Sequence, residues 1–250
     1  MEIRVLTLND FRNASVSKIE FCDGVNVICG SNGAGKTNIL EAIFYFAAGK
    51  SFRNCKDREL IRFGCEKASI EMSFDSRSVN KRMSAVLSKN ARRAIRIGNS
   101  SPLTLSNYIG QFRAVIFTPD HLNLVKGPPE NRRKFMDLAI CQSFPRYASS
   151  LSEYNRILMQ KQALLKRKNP QKELLEIYNE RLSSLAAIIT VNRRKYIAKL
   201  EQEAKKFLFD MSGNKEELKL TYQSQAGDIE TQEEIREKYK EIFAEKMEFE

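Results

Sequence analysis

The chain has one histidine and five cysteines in 250 residues, and these scarcities close off whole classes of chemistry. The cysteines stand at 22, 29, 55, 65 and 141, odd in number and never spaced C-x-x-C. Neither a disulfide framework nor a zinc site completed by a lone histidine fits that arrangement, and reduced, mostly buried thiols of a cytosolic protein are expected. His121 has no cysteine or serine placed by the sequence to form a catalytic pair, so its expected role is structural. Long apolar runs are also missing. Glu2, Arg4, Asp10 and Arg12 interrupt Met1–Asn13, which speaks against an export signal there. The longest uncharged apolar stretch, around Ala42–Ala48, is far too short to span a bilayer. The expectation is a cytoplasmic protein with no membrane partner. Acidic residues are outnumbered, 31 against 42 Lys and Arg, for a formal charge of +11 and a pI near 9.4. Acidic partners follow from that balance, nucleic acid first and an anionic membrane surface second.

What is present is concentrated in residues 30–37, GSNGAGKT, which fit G-x-x-x-x-G-K-[ST], the Walker A phosphate loop. Gly30, Gly33 and Gly35 let the backbone take positive φ and turn its N–H groups to an anion. Ser31, Asn32 and Ala34 fill the loop, Lys36 is placed to bridge the β- and γ-phosphates, and the Thr37 hydroxyl is placed to ligate Mg²⁺, with Asn38 following. The flanks supply the required context. Val25–Cys29 suits a buried strand, and residues 37–48, free of Gly and Pro, suit a helix whose N-terminus receives the phosphates. A nucleoside triphosphate with Mg²⁺ is the expected ligand.

Around the loop, alternation predicts further strands at Ile3–Leu8, Val16–Phe21, Ala68–Phe74, Met83–Leu87, Ala94–Ile97 and Ala114–Phe117. Helices are predicted at Leu103–Ile109 and Pro129–Cys141, the second with Pro129 in its first turn. From about Tyr147 the composition changes, with no glycine between Gly127 and Gly213. Tyr147, Leu151, Tyr154, Leu158, Lys161 and Leu165 follow heptad spacing. Leu175, Tyr178, Leu182, Leu185, Ile189, Asn192 and Tyr196 follow it again beyond a basic turn at 166–170. An antiparallel helical hairpin is the natural construction. Its helices are expected at about 147–167 and 171–211, with a short strand at Leu218–Tyr222 and an acidic amphipathic helix from Thr231. The fold class is therefore α/β: residues 1–145 as a phosphate-loop lobe with mixed sheets, and 146–250 as a helical arm.

The neighbours of the loop carry a resemblance. Leu6–Asn13, Gly30–Thr37 and Asn38–Ile43 together resemble the ATPase heads of the chromosome-maintenance and recombination-repair proteins. Gly49–Arg53, Asp57–Gly64 and Pro119–Asp137 resemble the RecF family of bacterial recombination mediators, and the likeness runs through essentially the whole chain. It implies a P-loop ABC-type ATPase head with a helical arm, acting in DNA replication, recombination and repair. Two heads dimerise on ATP into a clamp at single-strand gaps and junctions and, with RecR and RecO, help load the recombinase RecA. By the same resemblance Arg12 and Asn13 would reach back to the nucleotide from the loop after the first strand.

Two elements of such an ATPase, an LSGGQ-like signature and a Walker B with its acidic pair, do not occur in the sequence. Ala114–Phe117 followed by Thr118-Pro119-Asp120 is the nearest apolar run and lacks the pair. The family carries both motifs in a C-terminal part, so the chain is expected to be C-terminally truncated and to bind ATP without hydrolysing it or dimerising on it. Gln111 and Asp120 both remain candidates for the loop that senses Mg²⁺ and γ-phosphate. A GTPase is disfavoured because no N-K-x-D occurs. A small-molecule kinase would not need the heptad arm, and a transporter subunit would carry its signature within about this length. For DNA, held without sequence preference, two basic regions compete. Residues 77–97 hold Arg77, Lys81, Arg82, Lys89, Arg92, Arg93 and Arg96 with no acidic residue, and the arm tip holds Lys166, Arg167, Lys168 and Lys172.

Overall fold

Alternating apolar residues build the sheet of the first unit, residues 1–127. The computed structural model describes residues 1–53, 55–167 and 170–247. Five strands, β1 (Glu2–Phe11), β2 (Ala14–Glu20), β3 (Lys67–Ser76), β4 (Val79–Ser88) and β5 (Ala94–Ile97), lie in the order β2-β1-β3-β4-β5. Every pairing is antiparallel. Leu6 and Leu8 of β1, Ile70, Met72 and Phe74 of β3, and Met83, Ala85 and Leu87 of β4 are all buried, as period-two patterning requires. The other face keeps polar side chains: Thr7, Glu71, Ser84 and Arg96 stand in cross-strand register. Helix α1 (Lys36–Ala48) is nearly all apolar past its second turn, and Phe44 to Ala48 are buried. The rest of the unit is loops with single helical turns, including α2 (Leu105–Tyr108) and α3 (Asn123–Lys126).

Two of the expected strands form no ladder. Val25–Cys29 and Ala114–Phe117 pair with no strand among the described residues, and Val25 and Val115 are 90% and 95% exposed. β-Propensity marks a segment that fits a pleated, half-buried surface; it does not supply the neighbour that accepts its hydrogen bonds. The helix expected over Leu103–Ile109 shortens to α2, because Ile109 already has extended backbone and Gly110 takes φ 82°.

The second unit, residues 128–250, is helical: α4 (Pro129–Ser143), α5 (Pro145–Leu165), α6 (Lys172–Met211) and α7 (Gln232–Met247). The composition shift near 145 therefore lies inside this unit rather than at its start. The reason is α4, which packs on α5 and α6 and is tied to α6 by an ion pair between Asp137 and Arg193. The α5–α6 hairpin uses the expected seam, with Leu175, Leu182, Leu185 and Ile189 buried. A further apolar face of α6 takes α7: Leu182, Ala186, Ala226, Ile235, Tyr239 and Phe243 share one cluster with Ile157 of α5. The segment Leu218–Tyr222 forms no strand, having no ladder partner among the described residues.

Candidate functional site

Glycine chemistry sets the phosphate loop. Gly30, Gly33 and Gly35 take φ of 151°, 82° and 96°, values that a β-carbon resists. Gly35 caps α1, and the N–H groups of Asn38 and Ile39 donate to its carbonyl at 2.9 and 3.2 Å. A side chain at Gly35 would also meet Asn13, since even a β-carbon would lie 2.7 Å from Asn13 Oδ1.

A cleft of about 370 Å³ opens over this loop, lined by Asn13, Asn32, Lys36, Thr37, Asn38 and Arg53 beside the glycines. Lys36 Nζ donates to the carbonyls of Gly30 and Ser31 at 2.7 and 2.8 Å. Around the cleft runs a chain of amides: Asn13 Nδ2 donates to Gly33 O (3.1 Å), Asn38 Nδ2 to Asn13 Oδ1 (2.8 Å), and Arg53 Nη1 to Asn38 Oδ1 (3.0 Å). Among the described residues no carboxylate lines the cleft, which thus presents two cations and a helix N-terminus to an anion. Thr37 is exposed in the first turn of α1, and among the described residues no cluster of acidic or His/Cys side chains could hold a metal by itself.

Arg12 does not line this cleft. It occupies the β1–β2 turn at φ 56°, and its Nε and Nη2 donate to both oxygens of the fully buried Glu41 at 2.8 and 2.7 Å. Its Nη1 donates to Glu59 O at 3.0 Å. The hydrogen bonds to Glu41 raise the guanidinium further above its ordinary range. Glu41 also accepts from Ser51 and stands 3.6 Å from Arg53. Arg12 therefore anchors the turn that presents Asn13. Arg53, to which the sequence reading assigned no role, takes the cationic position in the cleft. It lay in the Gly49–Arg53 stretch that carried the family resemblance. Gln111 and Asp120 are both outside the cleft lining.

The basic stretch 77–97 comes apart in three dimensions, because acidic residues distant in sequence meet its cations. Arg82 pairs with Glu71, Lys89 with Glu66 at 3.4 Å and Arg93 with Asp57 at 3.2 Å. Arg93 is drawn in further, donating to Gly49 O and to the Tyr45 hydroxyl. Arg93 is thus partly buried in its contacts, whereas Arg82 stays exposed beside Glu71. Arg77, in the β3–β4 turn at φ 52°, and Arg96, on the polar sheet face, form no ion pair among the described residues. At the arm tip Lys166, Arg167 and Lys172 are exposed, and Lys168 lies outside the described residues. His121 Nδ1 accepts the Thr118 backbone N–H at 2.9 Å, a local cap.

A family model described as AAA domain matches residues 6–250. The DNA replication and repair protein RecF of Geobacillus kaustophilus is 38% identical over 245 residues, covering 96% of this chain, and the chain spans 66% of that relative's length. A solved structure, the recombination mediator protein RecF-ATPrS in the RecFOR pathway, superimposes with a TM-score of 0.92 at 31% identity, over 99% of this chain and 68% of the other. The corresponding RecF-ATP structure gives a TM-score of 0.89 at 33% identity, with the same coverage.

Proposed function

This chain belongs to the RecF family of DNA replication and repair proteins and has its P-loop ABC-type ATPase head fold; from that premise we propose that it binds ATP with Mg²⁺ in the Gly30–Thr37 cleft and serves as the nucleotide-switched part of a DNA-bound recombination mediator. The observation that carries this reading is Lys36: its ammonium is held by two neutral carbonyls in a cleft with no carboxylate. Phosphate oxygens are stronger acceptors for that ammonium than carbonyls, so a triphosphate can take it over. Arg53 adds a second cation, and the Asn13–Asn38 relay engages the loop carbonyl of Gly33. Thr37 would offer Mg²⁺ one hydroxyl oxygen, the phosphates and water completing the shell, and the bound ion would neutralise charge between phosphates.

With no acid in the cleft lining to orient water, the described residues favour binding over turnover. The DNA contact proposed here centres on Arg77, Arg92 and Arg96, the arginines of the basic strip that form no ion pair among the described residues. Pairing of two heads on ATP, action at gaps and junctions, the partners RecR and RecO and the loading of RecA rest on family membership alone. The test is calorimetric titration of ATP–Mg²⁺ into this chain and into Lys36→Ala. Saturable binding lost by about a hundredfold or more in the variant is expected, since a charge-assisted contact to phosphate disappears. Equal affinity in both would end the assignment.

A further inference from the structure

Helix α1 stops at Gly49, which caps it at φ 68°. The chain then doubles back along the helix, so that Arg53 Nη1 reaches Asn38 in the first turn, 15 positions earlier. Phe52 supports this return. Its ring meets Phe44 edge to face, with centroids 6.0 Å apart, and the Arg53 guanidinium lies 5.9 Å from the Phe52 ring centroid.

The return is also tied down from within. Ser51 is 2% exposed, and its hydroxyl donates to Glu41 while its oxygen accepts the Arg53 backbone N–H at 3.0 Å. A serine hydroxyl has a single proton, and here both the proton and the oxygen are in use. Glu41, fully buried, faces two guanidiniums with one carboxylate. Arg12 is the close partner, bound to both oxygens at 2.8 and 2.7 Å, whereas Arg53 Nη1 stands off at 3.6 Å. Arg12 therefore satisfies the carboxylate, and the charge of Arg53 is left largely uncompensated on the cleft side. Neither Glu41 nor Ser51 lines the cleft.

We propose that Glu41 and Ser51 are positioning residues for nucleotide binding: Glu41 fixes the Ser51 hydroxyl, and Ser51 fixes the backbone of Arg53 so that its guanidinium stands over the phosphate loop before any ligand arrives. This rests on the reading of the cleft as a nucleotide site. A phosphate oxygen then competes only with a long contact to Glu41 and a neutral one to Asn38, while Arg12 keeps the buried carboxylate paired. The segment carrying Arg53 is already ordered, so binding does not bear the entropy of ordering it.

The test is calorimetric titration of ATP–Mg²⁺ into the full 250-residue chain, into Ser51→Ala, into Arg53→Ala and into the double variant. Ser51→Ala should weaken binding about fivefold, the scale of one hydrogen bond. Arg53→Ala should weaken it about tenfold or more, since a charge-assisted contact to phosphate is lost. In the Arg53→Ala background, Ser51→Ala should cost less than about twofold, because the residue through which it acts is gone. A merely structural serine would weaken ATP binding by the same factor in both backgrounds. Should Ser51→Ala fail to fold in a urea titration, Ser51→Cys, a small side chain with a far weaker donor, carries the same cycle. The relay is overturned if Ser51→Ala binds ATP as the parent does, or if the two losses multiply in the double variant. A parent that binds no ATP ends the nucleotide reading and the relay together, whereas a parent that binds with multiplying losses ends the relay alone.

Discussion

In the helical unit, Arg193 donates to both oxygens of Asp137 at 2.8 Å and to the Tyr222 hydroxyl at 3.2 Å, and Tyr147 donates to the same carboxylate at 2.5 Å. In the phosphate-loop cleft, Lys36 has only the carbonyls of Gly30 and Ser31 among the described residues. Arg12, a few residues along the chain from the cleft, behaves like Arg193 and saturates Glu41. A cation that owns a carboxylate has little to gain from a ligand, because its desolvation is already compensated. A cation resting on neutral carbonyls gains by exchanging them for an anion. The same contrast separates Arg93 from Arg77 and Arg96 in the strip that the sequence presents as uniformly basic.

The largest effect expected from this contrast is in the arm. Arg193→Met should lower the unfolding free energy by about 3 kcal/mol, since Asp137 and the Tyr147 hydroxyl would be left in a mostly buried site without their cation. Urea denaturation measures it, and ATP affinity should not move. A loss below about 1 kcal/mol would mean that the network is not what ties α4 to α6.

Lys36→Ala should do the reverse. Besides the loss of nucleotide affinity, its unfolding free energy in urea should stay within about 0.5 kcal/mol of the parent, because no carboxylate is orphaned. A variant that loses binding and stability together would erase the distinction between the two cations.

Alkaline pH sharpens the comparison of the two units. Burial raises the phenols of Tyr45 and Tyr108 in the first unit and of Tyr147, Tyr154 and Tyr239 in the second. The unfolded chain releases these protons near the ordinary value of about 10 while the folded chain keeps them. The unfolded state therefore binds fewer protons above that pH. Stability is fully present below pH 10 and falls as pH rises, by up to about 1.4 kcal/mol per pH unit for each withheld proton. Urea titrations at pH 8 to 11 should show the fall. A flat profile would contradict the burial of these hydroxyls. Tyr147→Phe should reduce the slope.

The smallest effect concerns DNA. Arg77→Glu with Arg96→Glu should weaken sequence-independent binding several-fold and flatten its salt dependence. Arg82→Glu should act less, since Arg82 already spends its charge on Glu71. Fluorescence anisotropy at matched salt decides. A larger loss on reversing Lys166 and Arg167 would move the contact to the arm tip.

Much of the architecture was legible along the chain. The phosphate loop, the strands β1 to β5 and the hairpin seam of Leu175, Leu182, Leu185 and Ile189 are local patterns, each set by backbone sterics or by a period of two or 3.5 residues. The family resemblance also lay in contiguous stretches, and one of them contained Arg53 without disclosing its task. Illegible were the relations between stretches. Val25–Cys29 and Ala114–Phe117 have strand composition, yet pairing depends on a neighbour that composition does not name. The second face of α6 is filled by α7 because Ala186 and Ala187 leave room for it, and the seam spacing alone does not foretell that.

By itself the sequence determined the phosphate loop, because glycines at fixed intervals before a helix constrain the backbone wherever they occur. It also determined the alternation of the sheet and the heptads of the arm, since each period is a property of one element. Only the tertiary structure decided which cations remain for a ligand. Arg12, Arg82, Arg93 and Arg193 meet Glu41, Glu71, Asp57 and Asp137 across gaps of 11 to 56 positions, and a charge's availability is set by its neighbours in space rather than along the chain.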